Sequence, residues 1–185
     1  MHRKKTFFVL TFVLIIGSVP TVLVEGAELK AAAAMELKST AFQTSGEIPR
    51  KYTCDANDVS PAIIWEKAPT ATKGLALIAD DPDAPGGTWV HWVIYDIPPE
   101  TKELSEGIGK TETLPNGAKQ GLNDFRKVGY GGPCPPPGSM HRYFFRLYAL
   151  DAPTNLKSRA TKQQLLDVMK GHVLAEAELM GRYKR

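Results

Sequence analysis

Two histidines and a group of carboxylates are the residues of this chain best suited to chemistry. Residues 80–83 read DDPD, and His91 and His141 each lie at or inside an apolar segment. An imidazole donates or accepts hydrogen bonds and becomes cationic near neutral pH, while a neighbouring carboxylate can fix its orientation and its charge. Together these groups could bind an anion, hold a metal ion or transfer a proton.

The acidic segment at residues 80–87 directly follows an apolar run at residues 75–79. Proline fixes its own φ and keeps the preceding residue out of the helical region, so Asp81 and Ala84, which both precede proline, belong to a stiff loop. A stiff loop at the end of a strand can hold side chains in a binding site. The same residues also make ordinary polar turns, and composition alone leaves both interpretations open.

His91 lies within a run of strand-forming residues, WVHWVIYDI, at residues 89–97. Alternation along a strand predicts that Trp89, His91, Val93 and Tyr95 share one face. A lone histidine inside such a strand is usually a core residue with satisfied hydrogen bonds. This face also carries aromatic side chains with polar groups, which is typical of a pocket wall as well as of a core.

A segment rich in glycine and proline, GYGGPCPPPG at residues 129–138, leads towards His141. Its consecutive prolines favour a stiff polyproline II conformation, and the segment can be neither helix nor central strand. Free amides around Gly131 and Gly132 could form an anion-binding concavity, although a plain surface loop is the alternative. His141 then opens a strand on which Tyr143 points to the same side.

Short strands separated by Pro, Gly, Asp and Asn make up most of the chain. Apolar or alternating runs predict strands at residues 35–39, 63–65, 75–79, 89–97 and 142–150. The polar stretch at residues 98–123 reads as loops or weak strands. The absence of βαβ alternation favours antiparallel or mixed sheets.

The end of the chain has helical character. Thr161 and Gln164 have capping-box spacing and precede apolar residues at helical spacing. Gly171 ends that helix, and a helical pattern resumes at residues 172–182. We therefore predict a mostly β fold with one or two C-terminal helices covering part of a sheet.

The start of the chain resembles a secretory signal peptide, with a basic start, an apolar run and small residues near Ala27. We predict a signal peptide at residues 1–27, a linker at residues 28–34 and one domain at residues 35–185. The exported protein would then be periplasmic or secreted. An uncleaved membrane anchor at residues 7–24 is the alternative.

Most of the formal net charge of +3 belongs to this leader, so the remaining domain is nearly neutral. A neutral domain gives no support for nucleic-acid binding, which needs a basic surface. Cys54 and Cys134 are the two cysteines, and in an exported protein they could form a disulfide or remain separate buried thiols. Neither belongs to a CxxC motif, so a zinc site has no support.

The chain resembles the phosphatidylethanolamine-binding protein family, which includes the Raf kinase inhibitor proteins, over residues 35–183. The resemblance rests on motifs that occur in order, DPDAP at 81–85, WVH at 89–91, GGP at 131–133 and HRY at 141–143. Three further motifs are similar to the bacterial branch, YTC at 52–54, VSP at 59–61 and GPCPP at 132–136. The combination is far more specific than any single motif. It implies a central antiparallel sheet, a second smaller sheet and a C-terminal helix.

The resemblance also implies a pocket for a phosphate-type headgroup or a comparable small anion. The residues that match the family's site are Asp81, His91, Gly131 or Gly132, Pro133, His141 and Tyr143, with Asp83 supporting the loop. The C-terminal residues 181–185 are not recognisable as the segment that closes over the pocket in eukaryotic members. A regulatory role of that segment is therefore not expected here.

A carboxylate beside a phosphate is unfavourable because like charges repel. We therefore expect Asp81 to orient a histidine, and glycine amides and the Tyr143 hydroxyl to donate to the ligand. Anion binding should then strengthen as the pH falls through the histidine titration. We expect a non-catalytic binding protein without a cofactor. The alternatives are an interaction protein that inhibits a kinase or a protease, and a metal-dependent hydrolase, although no nucleophile-elbow or HExxH motif is present.

Overall fold

The computed structural model describes residues 34–185, and the predicted leader lies outside the described residues. In chain order the elements are β1 (Glu36–Ser39), a 3-10 helix (Arg50–Tyr52), β2 (Ile63–Glu66), β3 (Gly74–Asp81), β4 (Trp89–Ile97), β5 (Glu103–Leu104), β6 (Lys119–Gln120), β7 (Met140–Leu150), α1 (Lys162–Met169) and β8 (Val173–Lys184). The prediction of a mostly β fold is confirmed. The two shortest strands, β5 and β6, lie in the stretch that we read as loops or weak strands.

The strands form two antiparallel sheets. The smaller sheet has the order β1-β2-β5, and the larger sheet has the order β6-β4-β3-β7-β8. Apolar side chains from both sheets belong to one buried cluster, which includes Trp65 of β2, Leu77 of β3 and Phe145 of β7. A second cluster on the other face of the larger sheet includes Ile78 and the helical residue Leu165. Two covered faces explain why β3 is buried along its whole length and why residues 75–79 read as a continuous apolar run.

Helix α1 begins at the predicted capping box. The N–H of Gln164 donates to the Thr161 hydroxyl at 3.3 Å, and the N–H of Thr161 donates to the Gln164 side-chain oxygen at 2.9 Å. These two bonds satisfy donors that would otherwise be unpaired at the helix start. Among residues 34–185 no helix is both long and apolar enough to cross a membrane.

The prediction of a second C-terminal helix at residues 172–182 is wrong, because this segment forms strand β8 and pairs with β7 along nearly its whole length. Alanine, leucine, glutamate and methionine favour helices intrinsically, but tertiary packing overrides propensity. Ala177, Leu179 and Tyr183 alternate with exposed residues and enter the main buried cluster. The helical pattern that we read there is equally compatible with this period of two.

Strict alternation along β4 is also wrong. Ala79 pairs with Trp92 and Asp80 pairs with Val90, so His91 is an extra residue at a β-bulge. Val93 and Tyr95 consequently lie in the cluster beneath α1, whereas Trp92 faces the other sheet. The bulge separates His91 from Val93 and Tyr95 and turns its ring towards β7.

Candidate functional site

A cavity of about 270 Å³ lies at the end of the larger sheet where β3 finishes and β7 begins. Its polar lining comes from Asp81, His91 and His141, which were predicted to belong to one site. Cys134 also lines it, and the remaining wall is apolar and consists of Ala84, Pro85, Trp89, Phe125, Pro135 and Pro136. A few polar groups at the base of an apolar cavity are typical of a small-molecule site.

Asp81 and His141 form a buried pair at the base of this cavity. Nδ1 of His141 lies 2.7 Å from Oδ2 of Asp81, and their side chains are 6% and 4% exposed. The other carboxylate oxygen, Oδ1, accepts the main-chain N–H of Asp83 at 2.8 Å. A carboxylate accepts hydrogen bonds when ionised, so Nδ1 of His141 carries the hydrogen and Nε2 is left for a ligand. This is the orienting contact that we expected Asp81 to make with a histidine.

His91 is held by main chain rather than by a carboxylate. Its Nδ1 lies 2.6 Å from the carbonyl oxygen of Gly131, and its ring makes edge contacts with Phe125 and Tyr143 at centroid distances of 5.4 and 5.2 Å. Burial lowers the pKa of His91 below its usual value of 6.5, against the opposing effects of the Gly131 carbonyl and the Asp81 carboxylate. The ring is therefore a neutral imidazole near pH 7.

Asp83 ties the acidic loop to the start of β7. Its carboxylate forms a two-pronged ion pair with the Arg142 guanidinium, with contacts of 2.8 and 2.7 Å, and accepts the Arg142 main-chain N–H at 3.0 Å. The Arg142 contacts lower the pKa of Asp83 to about 2. Asp83 is not among the cavity-lining residues. The predicted loop-supporting role of Asp83 agrees with this arrangement.

The expectation of free glycine amides is wrong. The N–H of Gly131 donates to the carbonyl oxygen of His91 at 2.9 Å, and the N–H of Gly132 donates to Oδ1 of Asp58 at 2.6 Å. A Cβ atom on Gly131 would lie 2.7 Å from the Phe125 ring, and one on Gly132 would lie 2.3 Å from a main-chain oxygen. These glycines are therefore required for close packing, and their amides are already used. Pro133 lies outside the cavity lining as well.

The Tyr143 hydroxyl does not line the cavity either, contrary to our expectation that it donates to the ligand. It is buried, and no hydrogen-bond partner meets it among the described residues. Burial, together with the nearby Asp81 charge, raises the pKa of Tyr143 far above its usual value of 10.0. Tyr143 therefore supports the base of the cavity from behind.

Cys54 and Cys134 form a disulfide bond that spans 80 residues of sequence. The bond lies beside the cavity, because Cys134 lines it and Pro135 and Pro136 continue the same wall. The main-chain N–H of Cys54 also donates to the Pro133 carbonyl oxygen at 3.1 Å. The disulfide thus anchors the glycine and proline segment to the segment that follows the 3-10 helix.

Phe125 is a cavity residue that sequence reasoning missed. It lies in a tight turn in which the side-chain oxygen of Asn123 accepts the Lys127 N–H at 3.0 Å, and Asp124 binds the main chain of Val90. Its ring contacts Trp89 edge-on at 5.4 Å. Asn123 and Asp124 are turn-forming residues and give a weak signal for the turn, but no local pattern indicates that the turn reaches the cavity.

The described residues offer little support for a metal centre. Within residues 34–185 no group of three or more His, Cys, Asp or Glu side chains is arranged to hold an ion. Asp81 is hydrogen-bonded to Nδ1 of His141, and Nδ1 of His91 is hydrogen-bonded to the carbonyl oxygen of Gly131. Metal sites in proteins usually need at least three protein ligands.

Comparisons with known proteins agree with this architecture. The family model described as phosphatidylethanolamine-binding protein matches residues 38–184. A UPF0098 protein of Methanothermobacter thermautotrophicus is 52% identical over 151 residues, which are 82% of this chain and 99% of that protein. A UPF0098 protein of Aquifex aeolicus is 50% identical over 155 residues, which are 83% of this chain and 90% of that protein.

Two crystal structures share the fold. A phosphatidylethanolamine-binding protein homologue of Chlamydia trachomatis, CT736, has a TM-score of 0.75 and 41% identity and covers 82% of this chain and 98% of its own. YbcL of Escherichia coli, described as a member of the mammalian family, has a TM-score of 0.77 and 31% identity and covers 83% of this chain and 99% of its own. The chain therefore belongs to the phosphatidylethanolamine-binding protein family.

Proposed function

We propose that this domain is a non-catalytic binding protein for a small anion of the phosphate type, a group that occurs in phospholipid headgroups and in free phosphates. The observation that carries the proposal is the buried Asp81–His141 pair at the base of an apolar cavity. When both ring nitrogens of His141 are protonated, Nε2–H can donate to an anion while Asp81 balances the imidazolium charge. A charge-assisted bond in a poorly hydrated cavity is stronger than the same bond in water.

This proposal predicts that protons favour binding. Asp81 repels an anion when His141 is neutral, and protonation of the ring removes the repulsion and adds a donor. The dissociation constant of inorganic phosphate should therefore be at least about tenfold lower at about pH 5.5 than at about pH 8. Isothermal titration calorimetry measures it, and an affinity that stays flat over this range contradicts the proposal.

The chain offers a matched control. His172 also places Nδ1 2.7 Å from a carboxylate, that of Asp151, but both side chains are about half exposed and lie away from the cavity. His141→Gln should weaken phosphate binding at the lower pH, whereas His172→Gln should leave it unchanged. Equal losses in both variants would mean that the cavity is not the binding site.

We also propose that the protein is exported. The leader-like pattern at residues 1–27 supports this, and so does the disulfide between Cys54 and Cys134, because disulfides persist in oxidising compartments. Intact-mass analysis of the protein from the periplasm or the medium should show a chain that begins near residue 28. A full-length chain that stays in the membrane fraction would favour an uncleaved anchor.

A further inference from the structure

The base of the cavity is rich in acceptors. The carbonyl oxygen of Gly131 can only accept, so the hydrogen of a neutral His91 ring must lie on Nδ1 and its Nε2 carries a lone pair. Asp81, which lines the same cavity and acts on His91 by its charge, adds a carboxylate that accepts only when ionised. An anion without a hydrogen would therefore bring its own lone pairs against the lone pair of His91.

The packing around His91 keeps this ring an acceptor. The groups that favour its protonation are the main chain of Gly131, the Asp81 carboxylate, the main chain of Gly132 and the Asp80 carboxylate. The ring is only 3% exposed, and the loss of hydration outweighs these four groups and lowers the pKa of His91. The Gly131 carbonyl fixes the tautomer independently of this balance.

Resting on the proposed function, we propose that the cavity selects a phosphate-type group that retains a P–OH, and so prefers phosphomonoesters and inorganic phosphate to phosphodiesters and sulfate. The P–OH donates to Nε2 of His91, and a charged oxygen of the same group accepts from protonated His141. A phosphodiester or sulfate anion has no hydrogen to donate near neutral pH. Once bound, it would shield the lone pair of His91 from water without satisfying it, which is costly.

The test compares small ligands with the unmodified protein, so it does not depend on the folding of a variant. At about pH 6 a phosphomonoester is partly in its singly protonated form, because its second pKa is about 6. Methyl phosphate should bind at least about tenfold more tightly than dimethyl phosphate, a ratio that corresponds to about 1.4 kcal/mol. Inorganic phosphate should exceed sulfate by a similar factor. Calorimetry or competition measures both ratios.

The possible failures are distinguishable. If methyl and dimethyl phosphate bind equally well, the preference for a P–OH is wrong and the proposed anion site stands. If none of the four ligands binds, the proposed function is wrong, and this inference fails with it.

As a second measurement, His91→Gln replaces an obligate acceptor by an amide that can donate. The ratio of methyl to dimethyl phosphate affinity should then fall towards one, and an unchanged ratio in the folded variant would overturn the role of His91.

Discussion

His91 and Gly131 are joined by two reciprocal hydrogen bonds. The N–H of Gly131 donates to the carbonyl oxygen of His91 at 2.9 Å, and Nδ1–H of His91 donates to the carbonyl oxygen of Gly131 at 2.6 Å. The glycine and proline segment is thereby fixed to the bulge in β4. A shift of this segment would turn the His91 ring, so main-chain contacts position the cavity as much as side chains do.

Gly131→Ala should therefore loosen the cavity wall. The new Cβ would lie 2.7 Å from the Phe125 ring, which must move because this distance is shorter than any normal contact. Phe125 is 36% exposed and can yield, so we expect a loss of about 1–2 kcal/mol in unfolding free energy, as for other overpacked sites. Urea unfolding followed by tryptophan fluorescence measures it. Gly86→Ala is the control, because nothing lies within 4 Å of its Cβ, and equal losses in both variants would contradict the prediction.

Asp83→Asn should reveal a pH-dependent part of the stability. The folded-state pKa of Asp83 is about 2, against an ordinary value of 3.8. A lowered pKa stabilises the fold above the ordinary value, and this contribution is lost as the pH falls through the folded value. We expect the wild type to be more stable than the variant by about 1 kcal/mol or less near pH 7, because Arg142 is half exposed. The difference should shrink between about pH 4 and about pH 2.

Unfolding measured across this pH range tests the prediction, with Glu112→Gln as the control. Glu112 pairs with Arg159 on the surface away from the cavity, where both side chains are more than half exposed, so its loss should matter little. A stability difference between wild type and Asp83→Asn that persists undiminished at about pH 2 would show that the ion pair is not its cause.

Phe125→Ala should raise the pKa of His91. The aromatic ring covers the imidazole, and burial is the main cause of the lowered pKa. Exposure to water should move the pKa upwards towards 6.5. Because a His91 pKa below its unfolded value favours folding above that pH, the wild type should also lose stability as the pH falls below about 6.5, and the variant should lose less.

An NMR titration of the histidine ring nitrogens measures the pKa directly. Phe144→Ala is a suitable control, since Phe144 is half-buried on the opposite side of β7 and its ring contacts Arg142 and Arg146 instead. An unchanged His91 titration in Phe125→Ala would mean that other groups keep water from the ring.

Removal of the disulfide should weaken both the fold and the cavity. A bond that closes an 80-residue loop restricts the unfolded chain, and loss of a native disulfide typically costs about 2–5 kcal/mol. The variant with both Cys54→Ser and Cys134→Ser should unfold at lower urea and bind phosphate more weakly, because the wall formed by Pro135 and Pro136 is released. Reductant should destabilise the wild type but not this variant. A wild type whose unfolding is unaffected once its thiols are shown to be reduced would contradict the prediction.

Local sequence was sufficient for most elements. The span of β4 agrees with its run of β-branched and aromatic residues, and α1 begins at the capping box of Thr161 and Gln164 because these contacts join neighbours along the chain. Local sequence was insufficient for β8, where residues that favour helices pair with β7. It was also insufficient for the bulge at His91, because the register of β4 depends on its partner β3.

By itself the sequence determined that Asp81, His91 and His141 could belong to one site, since their motifs carry the resemblance to the family. Only the tertiary structure decided what each group does. It pairs Asp81 with His141, uses the amides of Gly131 and Gly132 within the protein, and brings Phe125 from a distant turn into the wall. The physical reason is that hydrogen-bond partners and burial depend on contacts between residues far apart in the chain, which residue spacing does not encode.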